Sequence, residues 1–324
     1  MKKLFFLILL LGAFFGAQVV YFQNFAKSEK VLDFDQISNS IVSIESQPNN
    51  PNQRFGSGVI ISSDGYIITA FHLLSGSLSS IKIDDQSYTA NLIGFDEYAD
   101  LAVLKVNGDN LRPIIFSATD DLKIGDTVYA IGNPFNLGIS VSKGILSATG
   151  RNFGNPYLDI IQTDAAINLG SSGGAIINEA GELIGLSTLI ASGSGGSDGV
   201  GFALPSSRVL SIANEIIKYG DVSRAWIGDF SFRRSFFNLN GERVPAIYVF
   251  QNQLPLSSQP IDGGLLDGDI IVDIKGAQAR WSTLRASVNS ISPGEVLELI
   301  VIRDGEEKKL EIVTKERPNT PQAL

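Results

Sequence analysis

Hydrophobic and polar positions along this chain fall into distinct regimes. Residues 4–22, LFFLILLLGAFFGAQVVYF, are apolar or small apart from Gln18. A helix of that length spans about 28 Å, close to the hydrocarbon thickness of a bilayer. Residues 23–36 read as a polar linker. From 37 to 220, short β-branched runs (NSIVSIES, SGVIIS, YIITA, SIKID, LAVLKV, TVYAIG, IIQTD) are punctuated by Gly, Asn, Asp or Pro. Many short strands at close spacing predict an all-β barrel or sandwich. This unit closes on SSRVLSIANEIIKYG, residues 206–220. There Val209, Leu210, Ile212, Ala213, Ile216 and Ile217 recur at helical spacing, and Gly220 stands where a C-terminal cap belongs. A second strand-rich unit, 222–317, carries AIYVFQ, DIIVDIKG, VLELIVIR and KKLEIVTK, with one helical segment, WSTLRASVNSI. Its length suits a small domain. The glycine- and serine-rich stretch 191–201 reads as a loop, and 318–324 as a tail.

The N-terminal run predicts an uncleaved membrane anchor rather than a removable signal peptide. Cleavage favours small residues at −3 and −1, and cutting after Ala17 or Gly16 places Phe15 or Phe14 at −3. Lys2 and Lys3 hold the N-terminus inside, so everything after residue 22 is expected outside the inner face.

Composition narrows the chemistry. The 324 residues carry a net charge of −9, with no run of lysines or arginines past residue 3. Nucleic acid is therefore not an expected partner, since phosphate binding needs a basic footprint. The absence of cysteine excludes disulfides, zinc–thiolate sites and thiol catalysis. With a single histidine, most metal sites are excluded as well, and no metal or cofactor is expected.

That histidine is His72, in YIITAFHLLSG. Taken alone, it reads more readily as a satisfied core side chain than as a catalytic one. The strongest local chemical signal is NLGSSGGA, residues 168–175, where Ser172 sits in a glycine-rich turn. A nucleophilic serine needs an exposed hydroxyl and unobstructed backbone N–H groups for a developing oxyanion, and Gly170 and Ser172 can supply them. It also needs a base, and the only imidazole is His72. An acid should orient that base; FDEYADLAVLKV supplies Asp100, directly before an apolar strand, with Asp96 as a local rival. The chain order His–Asp–Ser, each residue in its own strand-bounded turn, favours the catalytic reading.

The stretches GSGVIISSDGYIITAFHLL, DEYADLAVLKV and TDAAINLGSSGGA, followed by GELIGLST and GVGFALP, resemble the catalytic signatures of the HtrA (DegP/DegS) family of trypsin-like serine proteases. Residues 124–151 are similar to that family too. RAWIG, GGLLDGDIIVDIKG and PGEVLELIVIRDGEEKKLEIVTKERP resemble its PDZ module. The likeness runs colinearly from about residue 37 to 317, and a single anchor with a single PDZ domain points to the DegS-like branch.

The resemblance implies a mainly β chain: one transmembrane helix, a chymotrypsin-like double β-barrel protease domain over 37–220, and a PDZ domain over 222–317. It implies Ser172 as nucleophile, His72 as general base and acid, and Asp100 as the orienting carboxylate. Gly170 and Ser172 N–H would form the oxyanion hole, with Ser171 between them, while Asp164 would be a structural partner of the loop. By family analogy Ile167, Ile190 and Ala191 wall the specificity pocket, or else are core residues; lacking an acid, such a pocket favours cleavage after small aliphatic side chains. Arg151 aligns with a loop arginine that takes part in switching the oxyanion loop, the alternative being a solvated surface arginine. Trp226, Ile227 and Gly228 match the loop that captures a peptide's C-terminal carboxylate. The departures are Leu169, Ser171, Ala70-Phe71, Ala225 and Asp229. They remove no catalytic group, but a carboxylate at 229 opposes an incoming carboxylate if it faces the groove.

Implied partners are protein substrates, an activating peptide with a hydrophobic C-terminus, the bacterial inner membrane with the catalytic domain in the periplasm, and two further copies of the chain in a homotrimer. The implied function is regulated proteolysis in envelope stress signalling, such as cleavage of an anti-sigma factor. General degradation of misfolded periplasmic proteins and an inactive PDZ-bearing scaffold are the alternatives.

Overall fold

The computed structural model describes residues 32–46, 54–74, 79–83, 86–118, 121–152, 156–157, 159–190, 196–228, 230–239, 241–251 and 263–317. The expected anchor (1–22), most of the linker, Ala191, Asp229 and the tail lie outside the described residues. Among the described residues no helix is long and apolar enough to cross a membrane. The chain divides into two compact units, residues 1–35 and 36–324. Only 32–35 of the first are described, and the linker's end belongs to a short helix, Phe34–Ser38.

The second unit begins with seven antiparallel strands: β1 (Ile41–Ser46), β2 (Arg54–Ile60), β3 (Tyr66–Ala70), β4 (Ser79–Ile83), β5 (Gln86–Thr89), β6 (Asn91–Asp96) and β7 (Leu101–Lys105). They pair in the order β5-β4-β1-β2-β3-β7-β6, around a core of Val42, Ile44, Ile60, Ile67, Ile81 and Leu104. Six more strands close into a barrel, β10-β13-β12-β11-β8-β9. These are β8 (Thr127–Gly132), β9 (Ser140–Arg151), β10 (Ile160–Thr163), β11 (Ala175–Ile177), β12 (Leu183–Ile190) and β13 (Gly201–Pro205). The β-branched runs become strands because their side chains pack on the pleated, buried faces.

The predicted helix forms at Ser206–Tyr219. It buries Val209, Ile212, Ala213 and Ile216, and Gly220 caps it in a left-handed conformation with its N–H on Ile216 O at 2.8 Å. It packs on β6, β7 and β12, tying the seven-stranded sheet to the barrel.

A third sheet follows, ordered β15-β16-β17-β19-β20 with β18 on β17. Its strands are β15 (Phe230–Leu239), β16 (Glu242–Gln251), β17 (Ile270–Ile274), β18 (Ala277–Gln278), β19 (Val296–Arg303) and β20 (Glu306–Val313). The helix Trp281–Ser290 contributes Leu284 and Val288 to a core with Ile227, Val249, Ile271 and Leu299. A short pair, β14 (Ala225–Trp226) with β21 (Lys315–Glu316), closes the chain on itself. Asp269, with a fully buried side chain, receives Arg303 Nε at 2.7 Å and Nη2 at 2.8 Å. The Leu266 N–H also donates to Asp269, at 2.8 Å. Removing one partner strands the other charge and a backbone donor. Asp269→Ala is expected to cost about 3–5 kcal/mol, read as a lowered midpoint in urea unfolding; a loss below about 1 kcal/mol would show the pair to be dispensable.

Candidate active site

His72 follows β3, on a single 3-10 turn, Phe71–Leu74. The Phe71 ring stacks on Phe95 at 4.2 Å, and the Phe71 N–H donates to Asp100 O at 3.1 Å. Asp100 closes the β6–β7 turn with a positive φ of 52°, a left-handed conformation that Asp adopts more readily than most residues. This geometry aims its carboxylate back at the 3-10 turn. Oδ1 accepts the His72 backbone N–H at 2.9 Å, and Oδ2 lies 2.7 Å from His72 Nδ1. A carboxylate only accepts, so Nδ1 carries the proton and Nε2 is the acceptor nitrogen. The imidazole side chain is 40% exposed and the carboxylate 12%.

Asp96, the rival acid, is engaged elsewhere. Its Oδ1 accepts the N–H groups of Tyr98 (3.0 Å) and Ala99 (3.2 Å), and its Oδ2 pairs with the Arg224 guanidinium. Beside it, burial together with the Asp96 charge raises the pKa of Glu97.

The serine turn enters from the barrel. The Ser171 N–H donates to Asn168 O and the Gly174 N–H to Ser171 O, both at 2.9 Å, while the Gly173 N–H reaches Ser187 O at 2.7 Å. Gly170 has φ 93°, and a Cβ there would lie 2.5 Å from Asn133 O, so no side chain fits. At Gly173, φ 79°, a Cβ would meet Ser57 O at 2.1 Å. The Leu169 carbonyl accepts the Phe135 N–H at 2.8 Å. Across that trans peptide the Gly170 N–H is turned the opposite way. Among the described residues, neither the Gly170 nor the Ser172 N–H is donated to a protein acceptor. The Ser172 hydroxyl donates to Thr188 O at 3.3 Å.

One residue that the sequence reading missed holds this turn. Ser57, on β2 of the seven-stranded sheet, is fully buried. Its N–H donates to Ser172 O, its hydroxyl donates to Gly170 O, and the same hydroxyl accepts the Asn133 N–H, each at 2.8 Å. The Ser57 carbonyl receives Thr69 Oγ1 at 2.7 Å. The available signal was FGSGVI, a serine flanked by glycines inside a β-branched strand, where a backbone or turn must approach closely.

Other predicted positions are placed as follows. Ile167 is 1% exposed and packs inside the barrel core with Val128, Leu146 and Ile176; the Ile190 side chain is outside the described residues. Arg151, at the exposed end of β9, donates from Nε to Gln162 Oε1 at 3.0 Å. Asp164 accepts the Ile145 N–H at 2.7 Å. Trp226 and Ile227 are buried, and the Ile227 N–H lies 3.3 Å from the Tyr157 hydroxyl. Among the described residues no cluster of His, Asp or Glu could hold a metal ion.

A closed six-stranded β-barrel joined to a seven-stranded antiparallel sheet, with an imidazole–carboxylate pair on the sheet and a glycine-flanked serine turn on the barrel, defines the trypsin-like class. The model of the trypsin-like peptidase domain matches residues 56–186. The chain is 38% identical over 299 residues to a DegP-like periplasmic serine endoprotease of Ectopseudomonas mendocina, covering 87% of this chain and 62% of that one. It is 38% identical over 266 residues to the periplasmic serine endoprotease DegP of Escherichia coli K12, covering 78% and 55%. It therefore spans just over half of each of these curated relatives. Among solved structures, the HtrA-type protease AlgW with a tripeptide matches at 34% identity and TM-score 0.74, over 89% of this chain and 99% of that one. A serine endoprotease from Yersinia pestis matches at 30% identity and TM-score 0.67, again over 89% and 99%. The chain belongs to the HtrA family of serine proteases.

Proposed function

We propose that this chain is a membrane-anchored, DegS-like serine endopeptidase working in the bacterial periplasm. The observation that carries the reading is the 2.7 Å contact between His72 Nδ1 and Asp100, which leaves Nε2 as a base for a serine in a glycine-rich turn. Ser172 Oγ attacks the scissile carbonyl carbon and its proton passes to His72 Nε2. The oxyanion is received by the Gly170 and Ser172 N–H groups. Collapse breaks the C–N bond as His72 returns the proton to the leaving amine, and water then hydrolyses the acyl-enzyme by the same relay. The hydroxyl must first leave Thr188 O. Leu169 and Phe135, 69% and 56% exposed, rim the turn with apolar surface for a substrate. Ile190 and Ala191 retain their proposed place at the specificity pocket, with Ile167 packed in the barrel core behind it, and small aliphatic side chains suit such a pocket.

The third sheet is the proposed PDZ domain. A peptide carboxylate arriving at Trp226, Ile227 and Gly228 competes with the Tyr157 hydroxyl for the Ile227 N–H, so binding would loosen the third sheet from the barrel loop. This supports regulated cleavage of a membrane-associated signalling protein; the DegS-like reading carries with it a switching role for Arg151 and a homotrimer. General quality control of misfolded periplasmic proteins is the second reading, which the relatives' naming as periplasmic serine endoproteases accommodates. Labelling the full chain with a fluorophosphonate, wild type against Ser172→Ala, with and without a hydrophobic-tailed peptide, tests both. Ser172-dependent labelling that rises with peptide is expected. Equal labelling without peptide selects quality control, and no Ser172-dependent labelling in either condition refutes the protease reading.

Ser57 positions the turn without touching the reaction. Ser57→Ala leaves Gly170 O and the Asn133 N–H unpaired, so the oxyanion donors lose their register. A fall in kcat of roughly 10- to 100-fold with KM nearly unchanged is expected in peptide hydrolysis. An unchanged kcat would remove Ser57 from the catalytic account.

A further inference from the structure

A cavity of about 80 Å³ lies against the serine turn. Gly132 at the end of β8, Ser140 and Ser142 at the start of β9, Asn168 and Ser171 of the turn, and Ser187 of β12 line it. No charged side chain does, nor does any residue of the proposed specificity pocket. Two of its serines have their hydroxyl protons placed: Ser140 donates to Gly138 O at 3.1 Å, and Ser142 to Ala166 O at 2.8 Å. The other two, Ser171 and Ser187, are buried at 8% and 2% exposure. Ser187 Oγ has no hydrogen-bond partner among the described residues. Ser171 Oγ accepts the Asn168 N–H at a long 3.3 Å and donates to none of them. Ser187 is tied to the turn through its backbone as well. Its carbonyl accepts the Gly173 N–H at 2.7 Å, and its N–H donates to Gly174 O at 2.8 Å.

We propose that Ser187 is a positioning residue for the reaction: through water held in this cavity, its hydroxyl braces Ser171 and with it the Ser172 N–H. The inference rests on the reading of Ser172 as the nucleophile. A buried hydroxyl left without a partner costs about 1–3 kcal/mol, and proteins satisfy such groups with protein atoms or ordered water. A water needs roughly 10–15 Å³ of such space and two to four polar partners. The cavity offers both, and the two lone pairs of one water suit two hydroxyl protons. An ion would find no countercharge in this lining. The consequence for catalysis follows from the backbone. The peptide plane after Ser171 carries the Ser172 N–H, so any rocking of Ser171 turns that donor off the oxyanion. The backbone bonds of Ser187 hold the turn beyond Ser172, and its hydroxyl holds the turn before it.

The test compares Ser187→Thr with Ser187→Val in the full chain. The two side chains are nearly identical in shape and differ in the hydroxyl, so packing effects are common to both. In peptide hydrolysis, Ser187→Thr is expected to keep kcat within about twofold of wild type. Ser187→Val should lose about tenfold in kcat with KM nearly unchanged, less than removal of an oxyanion donor costs. A peptide aldehyde, whose hemiacetal oxyanion takes the same donors, should bind about tenfold more weakly to Ser187→Val than to Ser187→Thr. If Ser187→Val does not fold, Ser187→Ala takes its place in both measurements. A crystal structure of the full chain with Ser172→Ala decides the cavity without turnover. Ordered water within hydrogen-bond distance of Ser187 Oγ and Ser171 Oγ is expected there, and a dry cavity overturns the proposal. Equal kcat and equal aldehyde affinity in the Thr and Val variants refute the bracing alone. A wild-type chain that neither cleaves peptide nor takes up the aldehyde refutes the reading of Ser172, and this inference with it.

Discussion

His72→Ala is expected to lower kcat/KM for peptide hydrolysis by roughly 10⁶-fold. The expectation rests on scarcity as much as on geometry. The chain has one histidine, so no neighbouring imidazole can take over proton transfer from Ser172. The His72 side chain is 40% exposed, so its removal should leave the fold intact, and an unchanged circular dichroism melt would confirm this. Base and nucleophile act as a unit, and His72→Ala combined with Ser172→Ala should be no worse than either alone. A loss of less than about 100-fold would show that another group activates Ser172.

The same residues show which parts of the molecule are legible from sequence. YIITA, LAVLKV and TVYAIG become β3, β7 and β8 because each run is long enough, apolar enough and punctuated at both ends. The helix at Ser206–Tyr219 was readable from its period and its glycine cap. AIYVFQ marked the second half of β16, but β15 and the turn that joins them went unread, although Asn240-Gly241 is a hairpin turn signal and Leu239 pairs with Glu242. The exposed Arg and Phe positions of β15 break the apolar alternation that marks a half-buried strand. The pairing order β5-β4-β1-β2-β3-β7-β6 depends on which strand edges meet, and no local pattern encodes that. At the site, residue types and chain order pointed to His72, Asp100 and Ser172. Ser57 was passed over because its role arises from three partners 76 to 115 positions away in sequence, and the glycines of FGSGVI mark a close approach without saying what approaches. The engagement of Ile227 by Tyr157 escaped notice for the same reason.

Asp100→Asn is expected to cost about 10⁴-fold in kcat while leaving stability almost unchanged. The asparagine oxygen can still accept the His72 backbone N–H, as Asp100 Oδ1 does at 2.9 Å, so the left-handed turn and the 3-10 turn keep their tie. The amide nitrogen then faces His72 Nδ1, where an acceptor stood at 2.7 Å. Two donors cannot share that contact, so the ring turns over to the tautomer protonated on Nε2 and can no longer take the serine proton. Asp96→Asn should behave in the opposite way. It weakens the pairing with Arg224 and should lower the melting temperature, yet it leaves the imidazole's tautomer alone. Measuring kcat and the melting temperature for both variants separates the two acids. If Asp96→Asn cost more in kcat than Asp100→Asn, the orienting role would pass to Asp96 and the 2.7 Å contact would be structural.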